Sequence, residues 1–507
     1  MVPRRPRRKP GRCGRAIAFL ALAALLALHM AWGQAPPPAA PDLAAIDAYV
    51  EAEMRAARVP GLALGIVHGD RIVHLRAFGV ADPSGRPVTP QTPFVIGSLS
   101  KSITALAVMQ LVAEGRVDLD APVHRYLPWF RLADAEVSAR ITARHLLHHA
   151  SGIPAGPGLR SMLGDGDVDL AERVAGFADV VPRREPGVAF EYSNANYLVL
   201  GALVEAVAGE PYAAVVRARI FEPLGMRHAF ADPAAAVAAG LATGYRYWFG
   251  FPLPADLPFP RDAVPAGFLM ASAEDMARYL IAHLGGGTLG GGTVLGVDGF
   301  AELHRPAIPV ADGVDYAMGW DVGRRGGVPT LAHDGATPAF FASAVLRRDE
   351  PWGVVVLSNA SGMFAAPAAT IASGVTALLA GGEPDAPPPL GFGAFHAVVT
   401  GVVLLLSALL ARSVVLLPRW RRRLAERPPA GLGWFSRVVL PIAVDLSWPL
   451  VVFVVMPLGA GFPLWPVMLR FQPDLIGWLL VAAAVTFVKG ALRPALAWTA
   501  LRRVGAG

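Results

Sequence analysis

The chain is expected to be an α+β protein: an antiparallel sheet flanked by helices, carrying a helical insert, followed by an all-α transmembrane region. Three observations predict this. Strand-like stretches lie at both ends of residues 36–380, with helical ones between them. A stretch rich in Gly and Pro follows, Gly381-Gly382-Glu383-Pro384-Asp385-Ala386-Pro387-Pro388-Pro389. Beyond it lie apolar runs long enough to cross a bilayer.

Composition sets the outer bounds. Of 507 residues, 54% are hydrophobic and 17% charged, against roughly 25% charged in a soluble domain. With a mean hydropathy of +0.45, the chain is neither wholly soluble nor disordered. Its 54 Gly and 46 Pro are aperiodic, which excludes collagen-like and low-complexity classes.

From the start, residues 1–35 read as a signal peptide. Arg4 to Arg15 form a basic region, and an apolar run from Ala16 to Ala31 ends among small residues. An uncleaved anchor would leave the rest of the topology unchanged. Residues 36–380 form the outer domain. There, Leu62–Val67 and Ile72–Phe78 alternate around His68-Gly69-Asp70, a hairpin signal. Helical stretches follow at Lys101–Glu114, Asn196–Val207 and Ala273–Leu284, then strands at Thr330–His333, Phe341–Arg347 and Gly353–Ser358. Residues 381–393 are a linker. In residues 394–507, spans are expected at Phe395–Leu417, Val438–Leu458 and Leu475–Val488, the last extending to Leu492 if Lys489 snorkels.

The net charge of +6 divides unevenly. Residues 1–15 carry +7, residues 391–507 carry +9, and the middle carries −10. A −10 domain without a basic stripe repels phosphate backbones, which excludes nucleic-acid binding. The only cysteine is Cys13, so a processed chain has no disulfide, Cys nucleophile or Cys-zinc site. Arg419, Arg421, Arg422, Arg423 and Arg427 follow the first span, whereas Arg470 alone follows the second. By the positive-inside rule the first span runs inward, placing residues 36–390 outside the cytoplasm, where a signal peptide would also send them. The expected location is the bacterial cytoplasmic membrane, with several spans. Asp445 lies within the second span, two turns after Arg437, as an ion pair, a packing contact or a functional group.

The chemistry is announced by a scarcity. The outer domain has 25 Arg and one Lys, Lys101. Arginine keeps its proton, whereas a desolvated lysine can lose it. Lys101 stands in Gly97-Ser98-Leu99-Ser100-Lys101 at the start of a helix, so Ser98 and Lys101 share a face. The positive end of that helix favours an oxyanion and disfavours a charged lysine. This is the pattern of a nucleophile with an adjacent amine base. Alone, Ser-x-x-Lys is expected about twice by chance in a chain of this length; the lysine scarcity sharpens it.

Two further stretches complete the pattern: Glu191-Tyr192-Ser193-Asn194 entering a helix, and His333-Asp334-Gly335-Ala336 on a strand. The order Ser-x-x-Lys, Tyr-x-Asn, His-x-Gly resembles the serine β-lactamase and penicillin-binding-protein superfamily, nearest its class C β-lactamase and esterase branch. Residues 145–154 and Phe221-Glu222-Pro223-Leu224-Gly225-Met226 resemble it too, and the resemblance spans roughly residues 42–380. It implies that Ser98 is acylated, and that Lys101 takes its proton or holds Tyr192 as phenolate. It further implies Tyr192 as base and as acid to the leaving group, and Asn194 bonded to the substrate. The N–H groups of Ser98 and Ala336, beside Gly335, would form the oxyanion hole. One position departs from the family: His333 stands where lactamases and transpeptidases usually carry a Lys that anchors a carboxylate. A largely neutral histidine moves the substrate toward esters, amides or peptides.

His145, His148 and His149 have a spacing that suits zinc, but no paired Glu follows, and no metal is expected. Tyr316 and Trp320 are read as packing residues near the cleft. Together these features predict a membrane-tethered extracytoplasmic serine hydrolase acting by an acyl-enzyme on Ser98, without metal or organic cofactor. Its partners would be a small-molecule or peptide substrate and the membrane. In descending order the substrates are an ester or small amide, a D-amino-acid or cell-wall peptide, and a β-lactam; whether the spans bind another membrane protein is left open. The alternatives are a β-lactam or wall-peptide sensor that acylates without turnover, and an inactive binding module.

Overall fold

The structure is a computed structural model and describes residues 41–502 apart from 165–167, 257, 290, 291, 365, 387–389, 461 and 463. The expected signal peptide, with Cys13, lies outside the described residues. Met1–Leu43 and Ala44–Gly507 are separate units; the sheet, the cavity and the apolar helices all belong to the second.

Eight strands form the main sheet: β1 (Gly61–His68), β2 (Arg71–Gly79), β3 (Ile308–Ala311), β4 (Val314–Tyr316), β5 (Asp321–Arg325), β6 (Val328–Ala336), β7 (Phe341–Arg347) and β8 (Trp352–Ser358). Their order is β2-β1-β8-β7-β6-β5-β4-β3, and every adjacent pair is antiparallel. The predicted hairpin closes with His68 opposite Arg71. It joins the C-terminal strands through β1 and β8, where Leu62 faces Ser358 and His68 faces Trp352. Strands from opposite ends of the domain thus complete one sheet.

The insert between β2 and β3 supplies α1 (Ser100–Ala113), α2 (Ala155–Leu163), α3 (Asn194–Ala208) and α4 (Ala273–Leu284). After β8 comes α5 (Pro367–Leu379). Helix α4 packs on β1 and β8, and α5 packs on β7 and β8. The alternation expected along β1 is therefore absent: only its last residue escapes burial. Alternation marks a sheet with one wet face, whereas these central strands have helices to pack against and read as continuous apolar runs. Helix α1 is apolar on all sides and buried from Ser100 to Leu111, because it runs inside the domain against α3. That burial brings Lys101 into the interior.

Among the described residues three helices are long and apolar enough to cross a membrane: Phe392–Glu426, whose first part is α6 (Phe392–Val415), then α7 (Phe435–Ala460) and α9 (Pro473–Arg502). A short helix, α8 (Leu464–Phe471), connects the last two. Asp445 does not pair with Arg437. Lys489 Nζ lies 2.9 Å from its Oδ1 and Arg493 Nε 2.6 Å from its Oδ2. Nor does Lys489 snorkel; it is buried and donates to Ser413 Oγ at 2.7 Å. A carboxylate facing two cations in an apolar bundle offsets desolvation better than a lone charge reaching for water.

Candidate active site

Ser98 sits in a single 3₁₀ turn, Gly97–Leu99, that leads into α1. Gly97 has φ +55, and a Cβ there would lie 2.6 Å from Ala336 N. On β6, a Cβ at Gly335 would lie 1.9 Å from Ile96 O and 3.0 Å from Ser98 N. Two glycines therefore let the nucleophile turn and the strand touch backbone to backbone. This contact puts the backbone nitrogens of Ser98 and Ala336 on two abutting segments, the placement that an oxyanion hole built from both would need.

The hydroxyl of Ser98 has two partners. Lys101 Nζ is 2.9 Å from Oγ, and Tyr192 donates its O–H to Oγ at 2.8 Å. Lys101 has no exposed surface, and burial pushes its amine well below the usual lysine range. The amine also donates to the Ala266 carbonyl at 2.6 Å, so in its neutral form the lone pair is free for the Ser98 proton. Burial moves Tyr192 the other way, above the usual phenol range. A resting phenolate is disfavoured; the neutral amine is the stronger candidate base. Lys101 Nζ lies 4.9 Å from the Tyr192 ring centroid.

Asn194 opens α3 beside Tyr192 and lines the same cavity. Its Oδ1 is buried without a partner, an acceptor available to a substrate N–H. His333 Nδ1–H donates to the Asp334 carbonyl at 2.7 Å, leaving Nε2 as an acceptor 3.4 Å from the Tyr316 hydroxyl. Burial lowers its pKa, opposed by Asp321. Asp334 points elsewhere: Arg325 grips its two oxygens at 2.8 and 2.9 Å, and Ser343 donates at 2.7 Å. The Arg325 cation is thereby committed to the sheet.

Ser98, Tyr192, Asn194, His333 and Ala336 line one cavity of about 450 Å³ together with the apolar or aromatic Leu159, Met162, Phe190, Phe268, Val310, Tyr316, Pro338 and Phe471 and the polar Asp321, Asp334 and Thr337. Lys101 and Gly335 do not line it; each reaches it through Ser98, by the Nζ–Oγ hydrogen bond and by the backbone contact described above. Tyr316 is a lining residue, whereas Trp320 is buried against His283 and His304. The three clustered histidines separate. His145 caps its own helix. Burial first, then Arg144, lowers His148 to about 4. His149 sits under Tyr192, ring centroids 4.4 Å apart. Its Nδ1 accepts from Ser193 N–H at 3.2 Å and Asn196 Nδ2 at 3.0 Å. The His149 ring thus packs against Tyr192, a contact that its spacing in the histidine cluster does not reveal; its φ of 55 is likewise invisible in sequence. Phe471 has no sequence signal, since it enters from the far side of the linker.

The chain is similar to known proteins over most of this domain. The Beta-lactamase family profile matches residues 46–376. "Penicillin-binding protein 4" of Amycolatopsis lactamdurans is 35% identical over 295 residues, covering 56% of this chain and 76% of that protein. "Esterase EstB" of Burkholderia gladioli is 40% identical over 198 residues, covering 36% of this chain and 50% of the esterase. Among solved structures, the octameric penicillin-binding protein homologue from Pyrococcus abyssi is 27% identical with a TM-score of 0.60, covering 69% of this chain and 80% of that one. D-amino acid amidase from Ochrobactrum anthropi SV3 is 25% identical with a TM-score of 0.55, covering 66% and 97%. The chain belongs to the beta-lactamase family and is a serine hydrolase of that fold.

Proposed function

We propose that this protein is a membrane-tethered, extracytoplasmic hydrolase that opens esters or amides through an acyl-enzyme on Ser98. The observation that carries the reading is the buried, neutral-leaning amine of Lys101 at 2.9 Å from Ser98 Oγ. In the proposed cycle Oγ attacks the carbonyl carbon as its proton passes to Lys101 Nζ. The developing oxyanion meets the N–H groups of Ser98 and Ala336. The bond to the leaving alkoxide or amine breaks as that group takes up a proton, delivered through the Tyr192 hydroxyl. Water then repeats the sequence, releasing the acid and restoring Ser98. An acyl transfer of this kind needs only groups present in the chain.

Among the described residues the cavity wall carries Asp321 and Asp334 but no Lys or Arg, which supports acyl groups without a carboxylate over carboxylate-bearing β-lactams. The tethering rests on charge bias and on geometry. The catalytic domain touches the start of the first span, through Tyr247 on Phe392, and the start of the third, through Phe249 N–H on Asp474. These ends lie opposite the Arg-rich helical stretch Leu417–Glu426 that closes the first span.

The test is intact-mass spectrometry of the full chain in detergent after exposure to an activated ester and to a penicillin, with Ser98→Ala alongside. An acyl adduct in the parent, absent from the variant, that decays and re-forms is the expected result. An adduct that persists would favour the sensor; no Ser98-dependent adduct would refute the reading.

A further inference from the structure

The wall of the cavity contains one residue that the catalytic domain does not supply. Phe471 ends α8, and Pro473 two residues later begins the third span. The junction is held by specific contacts. Phe249 N–H donates to Asp474 Oδ2 at 2.6 Å, and Arg246 donates to the Arg470 carbonyl at 3.4 Å. A Cβ at Gly250 would lie 2.8 Å from His396 Cβ, so the tip of the hairpin Tyr245–Pro254 reaches the first turns of the first span. There Trp248 is 39% exposed, Phe251 61% and Phe364 53%. Exposed aromatic side chains at the mouth of a span belong at a membrane interface. The nucleophile thus opens into a cavity bounded on one side by Phe471, from the helix that precedes the third span, with apolar residues on much of the remaining lining and Asp321, His333, Asp334 and Thr337 on the rest.

Building on the hydrolase reading, we propose that the substrate is a membrane-borne amphiphile: an ester or amide whose carbonyl reaches Ser98 while its long apolar chain runs past Phe471 toward the bilayer. Phe471 is then a specificity residue for the chain and takes no part in the bond-making step. Leu159, Met162 and Val310 add apolar surface to the same cavity. The reaction is the acyl transfer described above, with the same balance of bonds and protons.

The experiment uses the full chain in phospholipid nanodiscs, with p-nitrophenyl acetate and p-nitrophenyl decanoate sharing one leaving group. Each methylene withdrawn from water is worth about fourfold. The decanoate-to-acetate ratio of kcat/KM should fall about four- to fifteen-fold in Phe471→Ala, one or two methylene contacts being lost, and recover in Phe471→Leu. Independently of any substitution, an alkyl fluorophosphonate with a terminal diazirine would be used; fluoride leaves as the Oγ–P bond forms. Photolysis should mark the Leu464–Phe471 peptide. Ser98-dependent hydrolysis with an unchanged chain-length ratio, or crosslinks confined to the catalytic domain, overturns the proposal and leaves the hydrolase reading intact. If neither ester is turned over and Ser98 takes no phosphonate, the hydrolase reading fails and this proposal with it.

Discussion

Gly335→Ala isolates the contact on which the oxyanion site depends. The added methyl would start 1.9 Å from Ile96 O and 2.9 Å from Ile96 C. Both are backbone atoms, so no side chain can swing aside. To reach the 3.4 Å of an ordinary contact, strand and nucleophile turn must part by about 1.5 Å in a close-packed interior. That separation pulls Ala336 N–H away from Ser98 N–H. Loss of one oxyanion donor typically costs about 10²–10³ in kcat; overpacking costs about 1–3 kcal/mol of stability. The assay is ester turnover by the full chain, with thermal unfolding recorded on the same sample. Gly296→Ala is the control, since nothing lies within 4 Å of its Cβ position. A Gly335→Ala protein that folds and keeps kcat within about threefold of the parent, well short of a lost donor, would show that this approach does not set the oxyanion geometry.

Four other outcomes are expected. Lys101→Arg keeps the charge but cannot release a proton, so turnover should fall at least about 10²-fold. In the parent, activity should be present above the lowered Lys101 pKa and be lost as pH falls through it, because protonation occupies the lone pair; a rate that does not fall on acidification would contradict this. His333→Lys restores a cation beside the cavity, and acylation by benzylpenicillin, followed by intact mass, should accelerate about tenfold or more. An unchanged rate would mean that the missing cation does not set the preference. Asp445→Asn leaves Lys489 and Arg493 buried without their counter-ion, a loss of about 3–5 kcal/mol by analogy with buried pairs. Tm in detergent should drop and partly recover in Asp445→Asn/Lys489→Met; equal Tm values would refute that account.

Much of this protein was legible before folding. Local patterns determine the hairpin at His68-Gly69-Asp70, the helix Ala273–Leu284 and the three apolar spans, because hydrophobic periodicity and turn residues act within a few positions of themselves. The lysine scarcity singled out Lys101, since composition is a property of the chain alone. What depends on contacts between distant segments was not legible. The close approach of Gly97 to Gly335 joins positions 238 apart in sequence. The His149 ring under Tyr192, the Lys489–Asp445–Arg493 cluster and the entry of Phe471 into the cavity are of the same kind. Burial, too, is a tertiary quantity: it lowers Lys101 and raises Tyr192, and so favours the neutral amine over a resting phenolate. Sequence by itself determined which groups could do chemistry; tertiary structure decided which of them meet, in what protonation state, and against which wall, because packing sets distances and desolvation that no linear pattern contains.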